Sequence, residues 1–514
     1  MKPKPRRPWR RRRAALRVSD SANARSEKRK LPEVTKSQGP MLERQRRVRA
    51  DARTRNDLRL VWPGRLWEPD ALAPANACPP LVTDEHCQPR SASAPSCRLI
   101  HGDALDVARA LVASGLGGKV SVVYVDPPFA SQARYDYEAR LDGPADGRVS
   151  RSVAYDDRWD GDGVGPYLDM LAPRLEALTR LLAAGGTIWV HVDYRASYLV
   201  RLLLDEILGR RAFLNEIVWR RAPNLGRQAA SAQFGRTVDT LLVYGGARAT
   251  LAPPTRLEPI APGSVRWDDA GRPFIAAPRG DYTDQSIARL ECEGRVHRSA
   301  TGKVYVKYFL VRDSEGAWCR ERRVDALWTD VPPLRHAPSG ERTGFPTQKP
   351  RALLDRVVAC ASAPGDWVVD LFAGSGTTGE SAHVLGRRFI LGDGSPLAVG
   401  MARARLLRVG VPLGVERCGP AAAPRAPPPR AQIERRGGDV TVKLLEPREP
   451  LAWAIDSAAR PDGPFRTDWH SERVPGSRTR PAIQEATLTA PEGPIGVRVW
   501  HDDGSVGSCT FEAP

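Results

Sequence analysis

Cysteine is scarce in this chain, eight in 514 residues, and no two form a C-x-x-C pair. That excludes a disulfide framework and fits a reducing, cytoplasmic compartment. It also removes the usual zinc signatures. Cys78, His86, Cys87 and Cys97 fall near one another in a Pro- and Ser-rich stretch, where they read as ordinary loop residues, and no metal is expected. Long apolar runs are missing as well. No segment reaches the roughly 18 residues of a membrane span, and the start of the chain lacks the apolar stretch of a signal peptide, so a soluble protein with no membrane partner is expected. No glycine loop ends in Lys-Ser or Lys-Thr, which excludes a Walker A loop. No nuclease or NTPase motif is present.

Charge is abundant but uneven. The net charge is +18, yet residues 1–60 hold 21 Lys+Arg against 6 Asp+Glu, leaving only +3 for the rest. The excess is a tail, residues 1–57, with few apolar side chains to bury and a composition typical of disorder. It reads equally as a phosphate-gripping arm or as a solvated extension. The remaining chain has room for two or three domains.

Along the chain, "LRLVW" (Leu58 to Trp62) predicts a short strand, and a Pro- and Ala-rich loop runs to about residue 96. Order then resumes. "CRLIHGDALDVARALVASG" gives a strand and a helix with apolar positions Leu105, Ala108, Leu111 and Val112, and "VSVVYVDPPF" gives a second strand. After a polar loop, "YLDMLAPRLEALTRLLAAGG" places Leu168, Leu171, Leu175, Leu178 and Leu182 on one helical face and predicts a stop at Gly185-Gly186. Strand "TIWVHVD" and helix "YLVRLLLDEILG" follow. This alternation predicts an α/β fold, a doubly wound, mostly parallel sheet covered on both faces. It breaks near residue 215 and resumes after Phe345, so 58–214 and 346–418 read as two halves of one domain around an insertion, 215–345. Within the insertion Arg220, Arg221, Arg227 and Arg236 have the donor chemistry for nucleic acid, although a solvated face explains each of them as well. A Pro-, Ala- and Arg-rich linker, 419–436, leads to a small all-β appendage, 437–514.

Two motifs carry chemistry. In "VYVDPPFA" an apolar strand ends in Asp126, Pro127, Pro128 and Phe129. Paired prolines fix φ and offer no N–H, which leaves the carbonyls of Asp126 and Pro127 free to accept bonds from a ligand. In "DLFAGSGTTGE" a strand ending at Asp370 opens into Gly374, Gly376 and Gly379, and Asp393 closes the next strand 19 residues after Gly374. Glycines let backbone approach a ligand closely, and the acid accepts hydrogen bonds from a ribose. NAD and S-adenosylmethionine both carry that ribose, so the loop by itself fits either.

Phe372 before the glycines, "DPPF" upstream and "FPTQKPRALLDRVV" between them separate the two. With these elements the chain resembles the beta class of DNA amino methyltransferases over about residues 97–410: a D-P-P-aromatic element first, a target-recognition insertion next, an F-x-G-x-G loop last. The resemblance implies a Rossmann-like methyltransferase fold with permuted motif order, S-adenosyl-L-methionine as cofactor and double-stranded DNA as partner. Catalysis would rest on Asp126, Pro127, Pro128 and Phe129: Asp126 and the Pro127 carbonyl hold the amine, Pro128 fixes the turn, and Phe129 stacks on a base turned out of the duplex. Cofactor contacts would come from Asp103 in "HGD", Thr347 and Lys349 in "TQKP", and Asp370, Phe372, Gly374, Gly376 and Asp393. Because cytosine enzymes of the family more often begin the tetrapeptide with serine, Asp126 favours adenine N6 over cytosine N4. An NAD-dependent oxidoreductase accounts for the glycine loop but leaves "DPPF" and "TQKP" as coincidences. A retired specificity module conflicts with the intact Asp126, Gly374 and Gly376. RNA poses the same amine chemistry as DNA. A restriction nuclease partner and the oligomeric state stay open at this level.

Overall fold

The computed structural model describes residues 59–68, 78–87, 97–141, 148–160, 163–224, 233–246, 248–420, 423–460, 463–473, 482–489 and 493–512. The basic tail and Arg227 lie outside the described residues.

Eleven strands form one large sheet. In chain order they are β1 Leu81–Cys87, β2 Cys97–His101, β3 Val120–Val125, β4 Leu182–Val192, β5 Phe213–Arg220, β6 Val238–Gly245, β7 Leu327–Trp328, β8 Trp367–Asp370, β9 Arg388–Asp393, β10 Leu413–Cys418 and β11 Phe465–Arg466. Their spatial order is β7-β5-β6-β4-β3-β8-β9-β2-β10-β1-β11. The middle, from β4 to β10, is parallel throughout. The helices are α1 Ala104–Leu111, α2 Val164–Thr179, α3 Ser197–Leu208, α4 Asp284–Cys292, α5 Arg351–Ala361, α6 Thr377–Val384 and α7 Pro396–Arg408.

Strand alternation divides the core into two layers. Val123 and Val125 of β3 point into a cluster built by α1, α2 and α3. Val122 and Tyr124 point into one built by α5, α6 and α7. The result is the doubly wound α/β sandwich expected from the alternation of elements. Its chain path reverses in the middle: β3 leads outward to β4 on one side, and its neighbour β8 leads to β9 on the other. In open α/β sheets ligands bind in the crevice at such a switch point, beyond the carboxyl ends of the strands.

Several expectations need correction. Residues 59–62 form no strand. Instead Arg65 lies over Trp62 and Trp67 at 4.8 and 4.7 Å and pairs with Glu206 of α3 at 2.9 Å. The Pro- and Ala-rich loop contains β1, whose Glu85 is fully buried. Helix α2 stops at Thr179, and Leu182, Gly185 and Gly186 belong to β4. The register against β3 shifts there, and a side chain at Gly186 would run into the Val120 carbonyl, so the glycine pair serves a bulge rather than a helix stop. The polar loop after Phe129 is a β-hairpin, Ala133–Leu141 with Arg148–Asp157.

Within 215–345, β5, β6 and β7 join the large sheet, and six strands between Thr255 and Arg323 form a sheet of their own. The last seven residues of the proposed linker, Arg430–Arg436, are a strand paired with Asp439–Glu446. That strand opens the C-terminal β region, whose three- and four-stranded sheets share a core of Val440, Val442, Trp453, Ile455, Val497 and Val499. The region does not hang free. Its β11 extends the large sheet beside β1, and Trp500 covers Arg403 of α7 at 3.6 Å.

Candidate active site

Asp370 of β8 sits in register with Tyr124 of β3, so "DPPF" and the glycine loop leave adjacent strands at the same edge. Between them lies a cavity of about 430 Å³. Every residue expected from the sequence to serve catalysis or the cofactor lines it except Gly376. Gly376 instead takes φ +79° where a side chain would meet Ala402 of α7 at 2.9 Å.

Asp126 stands just past the end of β3, and one of its oxygens, Oδ1, is buried with no hydrogen-bond partner. Oδ2 accepts from the Lys349 ammonium. The same ammonium lies 5.1 Å from the centre of the Phe129 ring and donates to the Thr347 carbonyl at 3.3 Å. The "DPPF" and "TQKP" elements, far apart in the chain, therefore meet at one carboxylate.

Backbone strain concentrates here. Ala130, Gln132 and Thr347 all hold positive φ, 56°, 56° and 65°, a conformation costing of order 1–3 kcal/mol for a residue with a side chain. Asp157, which sequence reasoning missed, fixes the first of these turns. Its Oδ2 accepts from Phe129 N at 3.2 Å, Ser131 N at 2.7 Å and Ser131 Oγ at 2.6 Å, while Oδ1 accepts from Trp159 Nε1 at 2.8 Å. Gln348 fixes the second turn by accepting from Thr343 N and Oγ1, both at 2.8 Å.

Beneath Phe129 lies the fully buried His191, ring to ring at 5.9 Å. His191 Nε2 faces Asp239 Oδ2 at 3.3 Å, and Nδ1 meets the Tyr124 hydroxyl at 2.8 Å. An ionised carboxylate only accepts, so the ring nitrogen facing it, Nε2, carries a proton, and the tautomer that goes with this geometry leaves Nδ1 to accept from Tyr124. Asp239 is also paired with Arg221 at 2.7 Å. The aromatic floor is thereby locked by a hydrogen-bonded chain rather than by packing alone.

On the glycine-loop side, Asp370 accepts from Phe372 N at 3.0 Å and Thr378 Oγ1 at 2.6 Å, bracing the loop. Burial pushes its carboxyl up to about 7. Asp393 accepts from Gly374 N and Ser395 N, both at 2.8 Å, and burial raises it to about 6. Asp103 caps α1 through Leu105 N at 2.9 Å and pairs with Arg174. The same carboxylate thus caps the helix and lines the cavity. Tyr135 and Tyr155 of the hairpin stack at 4.7 Å and close the cavity from above, Tyr155 reaching Thr347 Oγ1 at 3.3 Å. They carry the period-two aromatic signal that the sequence reading passed over.

Six aspartates line the cavity, Asp103, Asp126, Asp156, Asp157, Asp370 and Asp393, against only Lys349 and Arg174. Such a wall suits a cationic ligand and repels a pyrophosphate. Among the described residues no group of His, Cys, Asp and Glu is arranged to hold a metal, and no helix is long and apolar enough to cross a membrane.

The model of the DNA methylase family, N6_N4_Mtase, matches residues 120–401, a span that holds every residue of the cavity named above except Asp103. Type II methyltransferase M.EcaI of Enterobacter cloacae is 27% identical over 325 residues, covering 58% of this chain and 67% of that protein. The Mod subunit of the Salmonella typhimurium Type III restriction-modification enzyme StyLTI is 23% identical over 332 residues, covering 55% of this chain and 49% of the relative. The chain thus spans about two thirds and about half of these two relatives. A solved M1.HpyAVI–SAM complex is similar at 18% identity and a TM-score of 0.34, over 60% of this chain and 98% of that one.

Proposed function

The chain belongs to the DNA methylase family, and from that premise we propose that it moves a methyl group from S-adenosylmethionine directly to the exocyclic N6 of adenine in duplex DNA. The observation that carries the reading is the buried, unpartnered Asp126 Oδ1, an acceptor waiting for a donor, in a cavity that Phe129 also lines. An unmet buried acceptor costs about 1–3 kcal/mol, and an amine hydrogen removes that cost.

The residues fit the cofactor. The acidic wall suits a sulfonium, Gly374 N is held in place by Asp393, and Asp393 and Asp103 offer acceptors for ribose hydroxyls and the adenine amine. When bound, the cofactor supplies an electrophilic methyl group. The chain does the rest. Phe129 offers its face to a base turned out of the stack. Asp126 Oδ1 accepts one amine hydrogen and the Pro127 carbonyl the other, which draws the nitrogen out of conjugation and aims its lone pair. Lys349 holds the far oxygen of Asp126, so the carboxylate has one fixed orientation. No covalent enzyme intermediate is needed.

Asp126 at the head of the tetrapeptide is the reason for choosing adenine over cytosine N4. Expression in a host lacking adenine methylation, followed by sequencing that detects modified bases, tests the choice. N6-methyladenine at a recurring motif is the expected result, and N4-methylcytosine would replace the acceptor. The likeness to a Mod subunit motivates a restriction nuclease partner, tested by co-purification from the native host.

A pH dependence follows from Asp393. Ribose hydroxyls donate to the ionised carboxylate, so cofactor affinity is expected to be flat above about pH 7 and to weaken by about tenfold per unit once pH falls below the Asp393 value of about 6. Calorimetric titration from pH 5 to 8 measures it. Asp393→Asn should bind weakly with no such slope, and a wild-type slope that survives in the variant would assign the dependence to another group.

A further inference from the structure

Between Pro254 and Val324 the chain leaves the large sheet and builds the separate six-stranded sheet. Residues directly opposite in an antiparallel ladder share a face, and faces alternate every second residue. Arg312 stands opposite Trp318, and Leu310 opposite Arg320. Arg320 in turn faces Glu258, and Arg322 faces Arg256. Tyr308 and Arg312 lie two and six residues along from Val306, which packs on α4 with Ile287 and Leu290. One end of this face is therefore covered by α4, and the other end gathers four arginines among aromatic rings.

Two of these arginines differ from the rest. Arg256 and Arg322 share Glu258, at 2.9 and 3.3 Å. Arg312 instead lies over Trp318 at 4.2 Å, with Nη1 donating to the Gly316 carbonyl at 2.7 Å and Nε and Nη2 left for a ligand, and Arg320 lies over Tyr308 at 3.7 Å. The Nε of Arg320 is buried with no hydrogen-bond partner. Trp267 packs edge-on against Trp318 at 5.6 Å and is 58% exposed. A guanidinium held against a ring keeps its in-plane N–H edge directed outward, the geometry that matches a pair of adjacent acceptors. An exposed tryptophan beside it offers a flat apolar surface. If this were only a solvated face, the arginines would be expected to extend into water or to pair with acids as Arg256 and Arg322 do.

Resting on the methylase reading, we propose that this face grips the DNA beside the target base, with Arg312 and Arg320 each donating to a pair of acceptors on the duplex. Phosphate oxygens and the O6/N7 edge of guanine present the same paired acceptors. The test uses the full chain with Arg312→Gln, and with Arg312→Gln/Arg320→Gln, on DNA carrying the methylated motif found for the wild type. S-adenosylmethionine binding serves as the folding control. The expected result is DNA affinity lowered about tenfold, with a salt dependence shallower by about one phosphate contact per arginine, and cofactor binding unchanged. An unaltered motif then assigns phosphate, and a motif relaxed at one G·C position assigns guanine. Unchanged affinity, salt slope and motif in both variants would overturn the proposal. A wild type that binds S-adenosylmethionine but neither binds nor methylates DNA would instead overturn the functional reading beneath it.

Discussion

Asp126→Ala is expected to lower methyl transfer by about a thousandfold or more, with S-adenosylmethionine affinity within about twofold of the wild type. The two effects separate because Asp126 contacts the cofactor side of the cavity only through Lys349. Removing the carboxylate takes away the only side-chain acceptor of the cavity that is both buried and unmet among the described residues, so the amine keeps its conjugated, planar form. It also leaves the Lys349 ammonium with the Thr347 carbonyl as its remaining partner, at 3.3 Å, and a local collapse could mimic a chemical defect. The double variant Asp126→Ala/Lys349→Met removes that strain. Single-turnover kinetics and cofactor titration on both variants decide the matter. A single variant that retains a tenth of its activity, or a double variant that recovers it, would show that Asp126 only seats the lysine.

Glu85→Ala should cost about 3–5 kcal/mol of stability, the penalty for leaving a buried charge without its partner. Glu85 and Arg403 are each about 1% exposed, and Arg403 Nε donates to Glu85 Oε2 at 2.8 Å. Burial alone would raise the Glu85 carboxyl, but Arg403 and Thr467 bring it down to about 2. A depressed folded value gives stability that is present above the unfolded value of 4.5 and lost as pH falls toward 2. The wild type should therefore lose stability steeply across that acid window, and Glu85→Leu/Arg403→Met should unfold with a shallower slope there. Denaturant melts from pH 2 to 7 measure both. A single-variant loss below about 1 kcal/mol would mean that the pair does not hold β1 to α7.

What the sequence revealed and what it hid follow one physical division. Helices α1, α3 and α5 were readable because their burial is periodic and local, and the central strands and α7 because they are short runs buried almost throughout. "DPPF" and the glycine loop were readable because each packs its special residues into one short run. Features whose meaning lies in a distant partner were hidden. Glu85 looked like a loop acid because Arg403 stands 318 residues away. Asp157 was one acid among several in "AYDDRWDGDG", and only the fold shows it holding the turn at Phe129. His191 sat in an apolar strand with no sign of Tyr124 or Asp239 beside it. The hairpin was hidden for a different reason: Tyr135 and Tyr137 alternate with Arg134, Asp136 and Glu138, and those charges give the stretch the composition of a polar loop.

The exit and return of the 255–323 excursion lie one hydrogen bond apart, Val324 N to Pro254 O at 2.9 Å. Its closure is thus made at its base, on the frame of the large sheet, and owes nothing to what is built between the two ends. Loop-closure entropy grows only slowly with the length of the inserted chain, so lineages could exchange this segment wholesale, or an engineer could graft another between the same two residues, without re-registering β6 or β7. Where the segment makes the DNA contacts proposed for it, retargeting by cassette is open at that junction. It is closed at the C-terminal region, where a graft would have to bring along the mate of every charge it buries.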